Sequence, residues 1–161
     1  MDDFDLEILR ALQADGRLGN NELAEKVGLS ASQCSRRRTA LEKSGVIAGY
    51  RATLSPETLG FDVLVFVQVT LATHSPDNAK RFLALIRSVD EVQEAYSLTG
   101  ESDYLVKIAV PTLKDLSRLL AEVFLPHPSV AHVRSSIVLD RLKQGDRLPL
   151  NYVRRRPDAS A

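Results

Sequence analysis

With 161 residues and 21 Lys/Arg balanced by 21 Asp/Glu, the chain has room for one large domain or two small ones and the composition of an ordinary globular protein. A single cysteine excludes an intrachain disulfide framework, and three histidines without a second ligand type at helical spacing lend a metal site no support. No signal segment and no bilayer-length apolar run stand out, so a cytoplasmic protein with no membrane partner is expected.

The zero net charge conceals an asymmetry. Residues 17–51 hold seven Lys/Arg against three Asp/Glu, residues 61–142 hold eight against ten, and the tail from Lys143 holds five against two. Positive charge gathers near the N-terminus and at the C-terminus, as a nucleic-acid footprint requires.

In chain order, residues 1–15 open with acids and place Phe4, Ile8, Ala11 and Leu12 on one helical face, a first amphipathic helix that stops at Gly16. Residues 20–27 form a second, shorter helix, with Leu23, Ala24 and Val27 inward and Gly19 or Asn20 at its cap. Gly28 breaks it, Leu29 fills the turn, and Ser30 caps a third helix that runs to Lys43 and is stopped by Gly45. This is a helix-turn-helix packed on the first helix. Residues 46–54, with β-branched and aromatic side chains, suit a short strand or wing, and Pro56 and Gly60 mark a linker.

From Asp62 the period changes. DVLVFVQVTL is a near-continuous apolar strand, expected to be covered on both faces or on one face plus a partner chain. Pro76 opens a helix with Ala79, Phe82, Leu83 and Ile86 as its stripe; residues 92–98 and 104–110 are strands around the turn 99–102. Thr112 and Asp115 cap a further helix with Leu113, Leu116, Leu119, Leu120 and Val123 inward, and residues 130–142 form a last strand. The order βαββαβ is the ferredoxin-like arrangement and leaves one sheet face bare for a second subunit. The fold class is therefore α+β: a winged helix-turn-helix domain at 1–54, a linker at 55–61, a ferredoxin-like domain at 62–142 and a basic tail at 143–161. That tail ends in RRRPDASA, which reads as a solubilising end or an added phosphate contact.

The third helix carries Arg36, Arg37 and Arg38 in a row. With Cys34 and Leu41 inward, Ser32, Arg36, Thr39 and Lys43 fall on the outer face, polar, positive and free of acids, while Arg37 and Arg38 fall on its flanks. Such a helix suits the DNA major groove; an arginine run alone is equally compatible with a solvated surface helix. Cys34 itself reads as a small buried hydrophobe.

The stretches DLEILRALQADGR, ELAEKVGLS, SASQC and LEKSGVIAGYRA, followed by LVFVQVTL, VQEAYSLTGESDYLVKI and VRSSIVL, resemble the Lrp/AsnC transcription regulators over about residues 2–142. The resemblance implies a DNA-binding regulator and no enzyme. It implies a homodimer assembling to a tetramer or octamer and an amino acid or related small acid bound between dimers near the Gly-x-x-Asp-Tyr turn. Here that turn comprises Gly100, Glu101, Ser102, Asp103 and Tyr104. Arg38 stands where many members have an aliphatic residue, and Val133 where several have a polar one. The same fold pair resembles the subunits of siroheme decarboxylase, an alternative for which this chain offers little beyond His74, His132 and Arg134. A protein-binding helix-turn-helix is a third alternative.

Each site residue has an expected role. Arg36 is expected to donate to guanine O6 and N7; Ser32 and Gln33 to reach adenine or phosphate, with Ser35 on the other flank; and Arg37, Arg38 and Lys43 to hold phosphates of double-stranded DNA. Arg37 also matches an arginine frequent in the family that pins the helix within its domain. For the effector, N–H groups around Gly100 are expected to receive a carboxylate and Asp103 an ammonium, with Ser97, Thr99, Glu101 and Tyr104 alongside. On the turn alone, Gly100 and Asp103 read as ordinary hairpin residues. No cofactor, metal or catalytic residue is predicted.

Overall fold

The computed structural model describes residues 1–143, 145 and 147–153. It divides into two compact units, Met1–Thr53 with the described residues from Lys143 onward, and Leu54–Leu142.

The first unit is a three-helix assembly: α1 (Asp3–Ala14), α2 (Asn20–Val27) and α3 (Ala31–Lys43). Asp2 caps α1 by accepting the Asp5 N–H at 3.0 Å, while the Asp5 carboxylate accepts the Asp2 N–H at 3.0 Å, so two otherwise orphaned donors are satisfied reciprocally. Gly19 caps α2 through its N–H to Glu22 at 2.7 Å. Gly28 ends α2 in the left-handed region, with φ 70°, where a Cβ would be strained; this lets the chain reach Ser30 and start α3 within two residues. Ile8, Leu9, Leu12, Leu18, Leu23, Cys34 and Leu41 form the core.

Phe4, expected inward, is largely exposed. It lies at the open end of α1, where the Arg37 guanidinium, 5.6 Å from its ring centroid, meets it instead of apolar side chains. The short strand expected within residues 46–54 is also not formed: the Ile47 N–H returns to the Leu41 carbonyl at 3.1 Å, and beyond it no described strand edge offers a ladder partner. From the tail, Leu150 packs on the three-helix core and Leu148 bonds through its backbone to the Gln13 side chain, so this part is docked on the unit. The arginine run of the tail and all of 154–161 lie outside the described residues.

The second unit follows the expected order: β1 (Val63–Leu71), α4 (Pro76–Ser88), β2 (Val92–Ser97), β3 (Tyr104–Val110), α5 (Leu113–Leu119) running into a π-helical turn (Leu120–Phe124), and β4 (Val130–Ile137). The strands form one antiparallel sheet in the order β2-β3-β1-β4. Along β1, Val63, Val65, Val67, Val69 and Leu71 are buried against Phe82, Leu116, Leu119 and Phe124, while Leu64, Phe66, Gln68 and Thr70 are only half-buried on the opposite face. One face is thus covered within the chain and the other is not. Leu83 and Leu113, expected inward, are exposed. β4 stops at Ile137 rather than Leu142 because its ladder on β1 ends at the Val138 N–H to Leu64 carbonyl bond of 2.9 Å, and β1 starts at Val63.

Candidate nucleic-acid interface and ligand loop

α3 begins with a closed cap. The Gln33 N–H donates to Ser30 Oγ at 3.2 Å, and Gln33 Oε1 accepts the Ser30 N–H at 3.0 Å. Ser32 Oγ lies 3.0 Å from the same Ser30 hydroxyl. Gln33 therefore keeps its amide N–H groups available but not its carbonyl oxygen, which removes the two-point pairing with adenine in this conformation.

The three arginines of α3 part company. Arg37 Nη1 donates to Asp5 Oδ1 at 2.7 Å and lies 2.8 Å from Asp2 Oδ2, bridging α3 to the cap of α1. The Asp5 bond chiefly holds the Arg37 proton more tightly than usual, against the effect of burial. At Asp2, burial pushes the carboxyl up, but the Asp5 N–H and the Arg37 guanidinium together outweigh it and leave the group below the usual carboxylate range.

Arg38 turns to the other flank. Its Nη1 donates to the Leu18 carbonyl at 2.9 Å, its Nε donates to Tyr50 Oη at 2.8 Å and approaches Glu42 Oε1 at 3.3 Å, and its guanidinium lies 4.6 Å from the Tyr50 ring centroid. Tyr50 in turn donates to Glu42 Oε1 at 2.9 Å; burial first, and that bond second, push its phenol up. Arg37 and Arg38, both expected at phosphates, thus have guanidinium donors committed inside the unit.

Arg36 differs from both. It is exposed and makes no hydrogen bond or ion pair among the described residues. Beside it, Ser32, Thr39 and Lys43 are exposed and Ser35 is half-buried. Cys34 is fully buried, and that burial pushes its thiol up, away from the reactive thiolate.

In the second unit, Ser97, Thr99, Gly100 and Glu101 lie exposed at the β2–β3 turn, with Gly100 at φ 123°. Asp103 behaves differently. Its Oδ2 accepts the Leu71 N–H at 2.7 Å, its Oδ1 lies 3.3 Å from His74 Nδ1, and its own N–H donates to the Val69 carbonyl at 3.0 Å. One carboxylate oxygen thus serves the end of β1 and the other faces His74, so the Asp103 side chain, expected to receive an ammonium group, also has a role within the unit. The Tyr104 ring packs on Phe82, with centroids 4.8 Å apart. Val133 is half-buried against the core and His132 is exposed.

Several partners escaped the sequence: Asp2, Asp5, Leu18 and Tyr50 around the arginines, and His74 at Asp103. Only the acidic start of α1 carried a signal, as the capping box that Arg37 joins.

A model of the Lrp/AsnC ligand binding domain matches residues 64–148, and one of a winged helix-turn-helix DNA-binding domain matches residues 1–48. The chain belongs to the Lrp/AsnC family. Its two domains are those of an Lrp/AsnC-type DNA-binding transcription regulator. Similar relatives include the leucine-responsive regulatory proteins of Salmonella typhimurium and Escherichia coli K12, each 40% identical over 148 residues that cover 92% of this chain and 90% of theirs. Among solved structures, a Neisseria meningitidis transcriptional regulator in complex with L-Met is 38% identical, with a TM-score of 0.91 over 94% of this chain and 97% of that one. E. coli AsnC is 30% identical, with a TM-score of 0.82 over 89% and 95%. These Lrp/AsnC relatives give the siroheme decarboxylase alternative no support.

Proposed function

We propose that this regulator reads DNA through Arg36, with Ser32, Ser35 and Lys43 on nearby phosphates and Gln33 acting as a donor only. The observation that carries this is the division of labour on α3: Arg37 and Arg38 are engaged within the unit, whereas Arg36 stands exposed on the polar face without a partner among the described residues. An arginine so placed can donate two hydrogen bonds to guanine O6 and N7, worth about 1–3 kcal/mol of discrimination.

The second domain senses a small amino acid at the β2–β3 turn, where Gly100 N–H, Ser97, Thr99 and Glu101 are accessible. The names of the relatives, leucine-responsive proteins and a regulator complexed with L-Met, favour an apolar L-amino acid. In this reading Asp103 shapes the turn and Tyr104 supports it from below, because both are engaged within the unit.

The bare sheet face, with Leu64, Phe66 and Leu105 half-buried and Tyr96 exposed, is the surface on which two copies pair, giving a dimer that builds to a tetramer or octamer and acts on double-stranded DNA in the cytoplasm. Two recognition helices then address two half-sites about one DNA turn apart.

The test is a gel-retardation titration of the full chain against a duplex selected from a randomised pool and against random duplex. Arg36→Ala is expected to lose preference for the selected duplex while retaining random binding; equal loss on both refutes the role given to Arg36. A calorimetric screen of the twenty amino acids tests the second domain in parallel.

A further inference from the structure

Arg38 presents a puzzle of chemistry. A guanidinium in a helix-turn-helix, two residues from the proposed base reader, would ordinarily be assigned to a phosphate. The structure uses it otherwise. Three stretches of chain meet at this one side chain: the Leu18 carbonyl in the turn before α2, Glu42 in the last turns of α3, and Tyr50 in the segment that leaves α3. The fork is anchored at both ends, since Nη1 and Nε point to different partners, and the Tyr50 ring lies against the guanidinium.

We propose that Arg38 is a positioning residue for DNA recognition: through Leu18, Glu42 and Tyr50 it fixes α3 against the turn before α2 and against its own exit segment, and so aims Arg36. The inference rests on the reading of Arg36 as base reader. Its physical basis is directional. Cys34 and Leu41 seat the inner face of α3 in the core, and Arg37 fixes the helix toward the cap of α1, on the opposite flank, so small rotations about its axis are held by a polar anchor on one side only. A second anchor on the other flank, placed by the same helical period that points Arg36 outward, limits those rotations from both sides. A lysine at residue 38 would keep the charge but has no planar fork to hold Leu18 and Tyr50 in the two fixed directions that Nη1 and Nε set. Tyr50 completes the device by donating onward to Glu42, so that neither the phenol nor the carboxylate is left without a partner.

The discriminating experiment measures affinity of the full chain for the selected and the random duplex across a salt series, for Arg36→Ala, Arg38→Lys, Arg38→Ala and Tyr50→Phe, each shown by circular dichroism to be folded at the assay temperature. Positioning predicts that Arg38→Lys and Tyr50→Phe each lose selected-over-random preference, by about tenfold if one charge-assisted hydrogen bond is lost, with the wild-type salt slope. Arg38→Ala should keep that slope as well. A phosphate contact predicts the reverse: Arg38→Lys near wild type, Tyr50→Phe silent, and Arg38→Ala shallower by about one unit of slope. That pattern overturns the inference. A purely structural role lowers the melting temperature of these variants while leaving preference intact, which overturns it equally. If Arg36→Ala leaves preference unchanged, the reading of Arg36 fails; if Arg36→Ala loses preference and Arg38→Lys does not, only the role given to Arg38 fails.

Discussion

Arg37 Nη1 lies 2.7 Å from Asp5 Oδ1, a contact between residues 32 apart in sequence that ties the recognition helix to the cap of the first helix. It joins two devices that would each work alone. The Asp2–Asp5 capping box satisfies the start of α1, and Arg37 then uses the charge left on both carboxylates.

Removing the guanidinium leaves a mostly buried Asp5 carboxylate and a half-exposed Asp2 carboxylate facing each other without a cation. Arg37→Ala is therefore expected to destabilise the first unit by about 1.5–3 kcal/mol, the range for a hydrogen bond to a charged partner. Urea unfolding followed by circular dichroism measures this. A loss well below that range would show the pair to be a solvent-screened surface contact.

The same cluster sets a pH dependence. The Asp2 carboxyl sits below its ordinary value in the folded chain, so it contributes stability above the unfolded carboxylate value of about 4 and loses that contribution as pH falls through the folded value. Asp2→Asn keeps a capping oxygen while removing the charge. The variant should be less stable than wild type at neutral pH, and the gap should close in acid. Glu94 and Glu57, whose carboxyls are also held low, are common to both proteins and cancel from the difference. A gap that stays constant from neutral pH to about pH 2.5 would mean that the folded and unfolded Asp2 titrate alike.

Asp103 supplies the next case. Its carboxylate holds the N–H of buried Leu71, the last residue of β1, and faces His74 just beyond it. Asp103→Ala leaves that N–H without its partner, at a cost of about 1–3 kcal/mol. Asp103→Asn keeps an acceptor and should cost less. If Asp103 also contacts an effector ammonium, both variants abolish amino-acid binding, and Asp103→Asn does so at a near-normal melting temperature. Calorimetry with amino acids, run beside thermal melts, separates these outcomes.

Which of these contacts were legible in the sequence follows from their range. The 3.6-residue period puts Cys34 and Leu41 inward and Arg36 outward, and the structure agrees. The same period places Arg37 and Arg38 on the flanks but says nothing of what waits there, because Asp5, Leu18 and Tyr50 are 32, 20 and 12 residues away. Strand order was legible from the alternation of periods and the Pro and Gly stops. Strand length was not: the end of β4 is set by where β1 begins, which no property of residues 138–142 records. Phe4 illustrates the limit for apolar residues, since amphipathic phase gives a face and not what covers that face at a helix end. In the candidate ligand site, the turn at Gly100 was legible and the occupation of Asp103 was not, because the Leu71 N–H that fills it comes from another strand.

The tail offers a test of docking. Leu148 exchanges two hydrogen bonds with the Gln13 side chain, its N–H donating at 2.7 Å and its carbonyl accepting at 3.4 Å, and Leu150 packs on the three-helix core. Ending the chain after Lys143 should lower the stability of the first unit by about 1–3 kcal/mol, the value of one apolar side chain. It should also speed hydrogen exchange at the α1 amides near Gln13. Leu150→Ala alone should reproduce much of the loss. If the shortened chain melts as wild type does, the tail rests on the unit without stabilising it.

Phe82 connects the core of the second unit to its proposed ligand turn. The ring is fully buried on α4 and lies 4.8 Å from that of Tyr104, the first residue of β3, which directly follows the Asp103 latch. Phe82→Ala opens a cavity under the sheet, expected to cost about 3–5 kcal/mol, and removes the support beneath Tyr104. Phe82→Leu refills most of the volume without an aromatic partner, so its cost should be smaller, while Tyr104 gains freedom. The two variants divide packing from positioning. If the turn only needs a filled core, Phe82→Leu binds amino acids as wild type does. If the Tyr104 ring must be held at its tilt of 36° for the turn to present its N–H groups, Phe82→Leu loses affinity despite near-normal melting. The structure favours the second outcome, because Tyr104 is only half-buried and its hydroxyl has no hydrogen-bond partner among the described residues to orient the ring in place of the contact with Phe82.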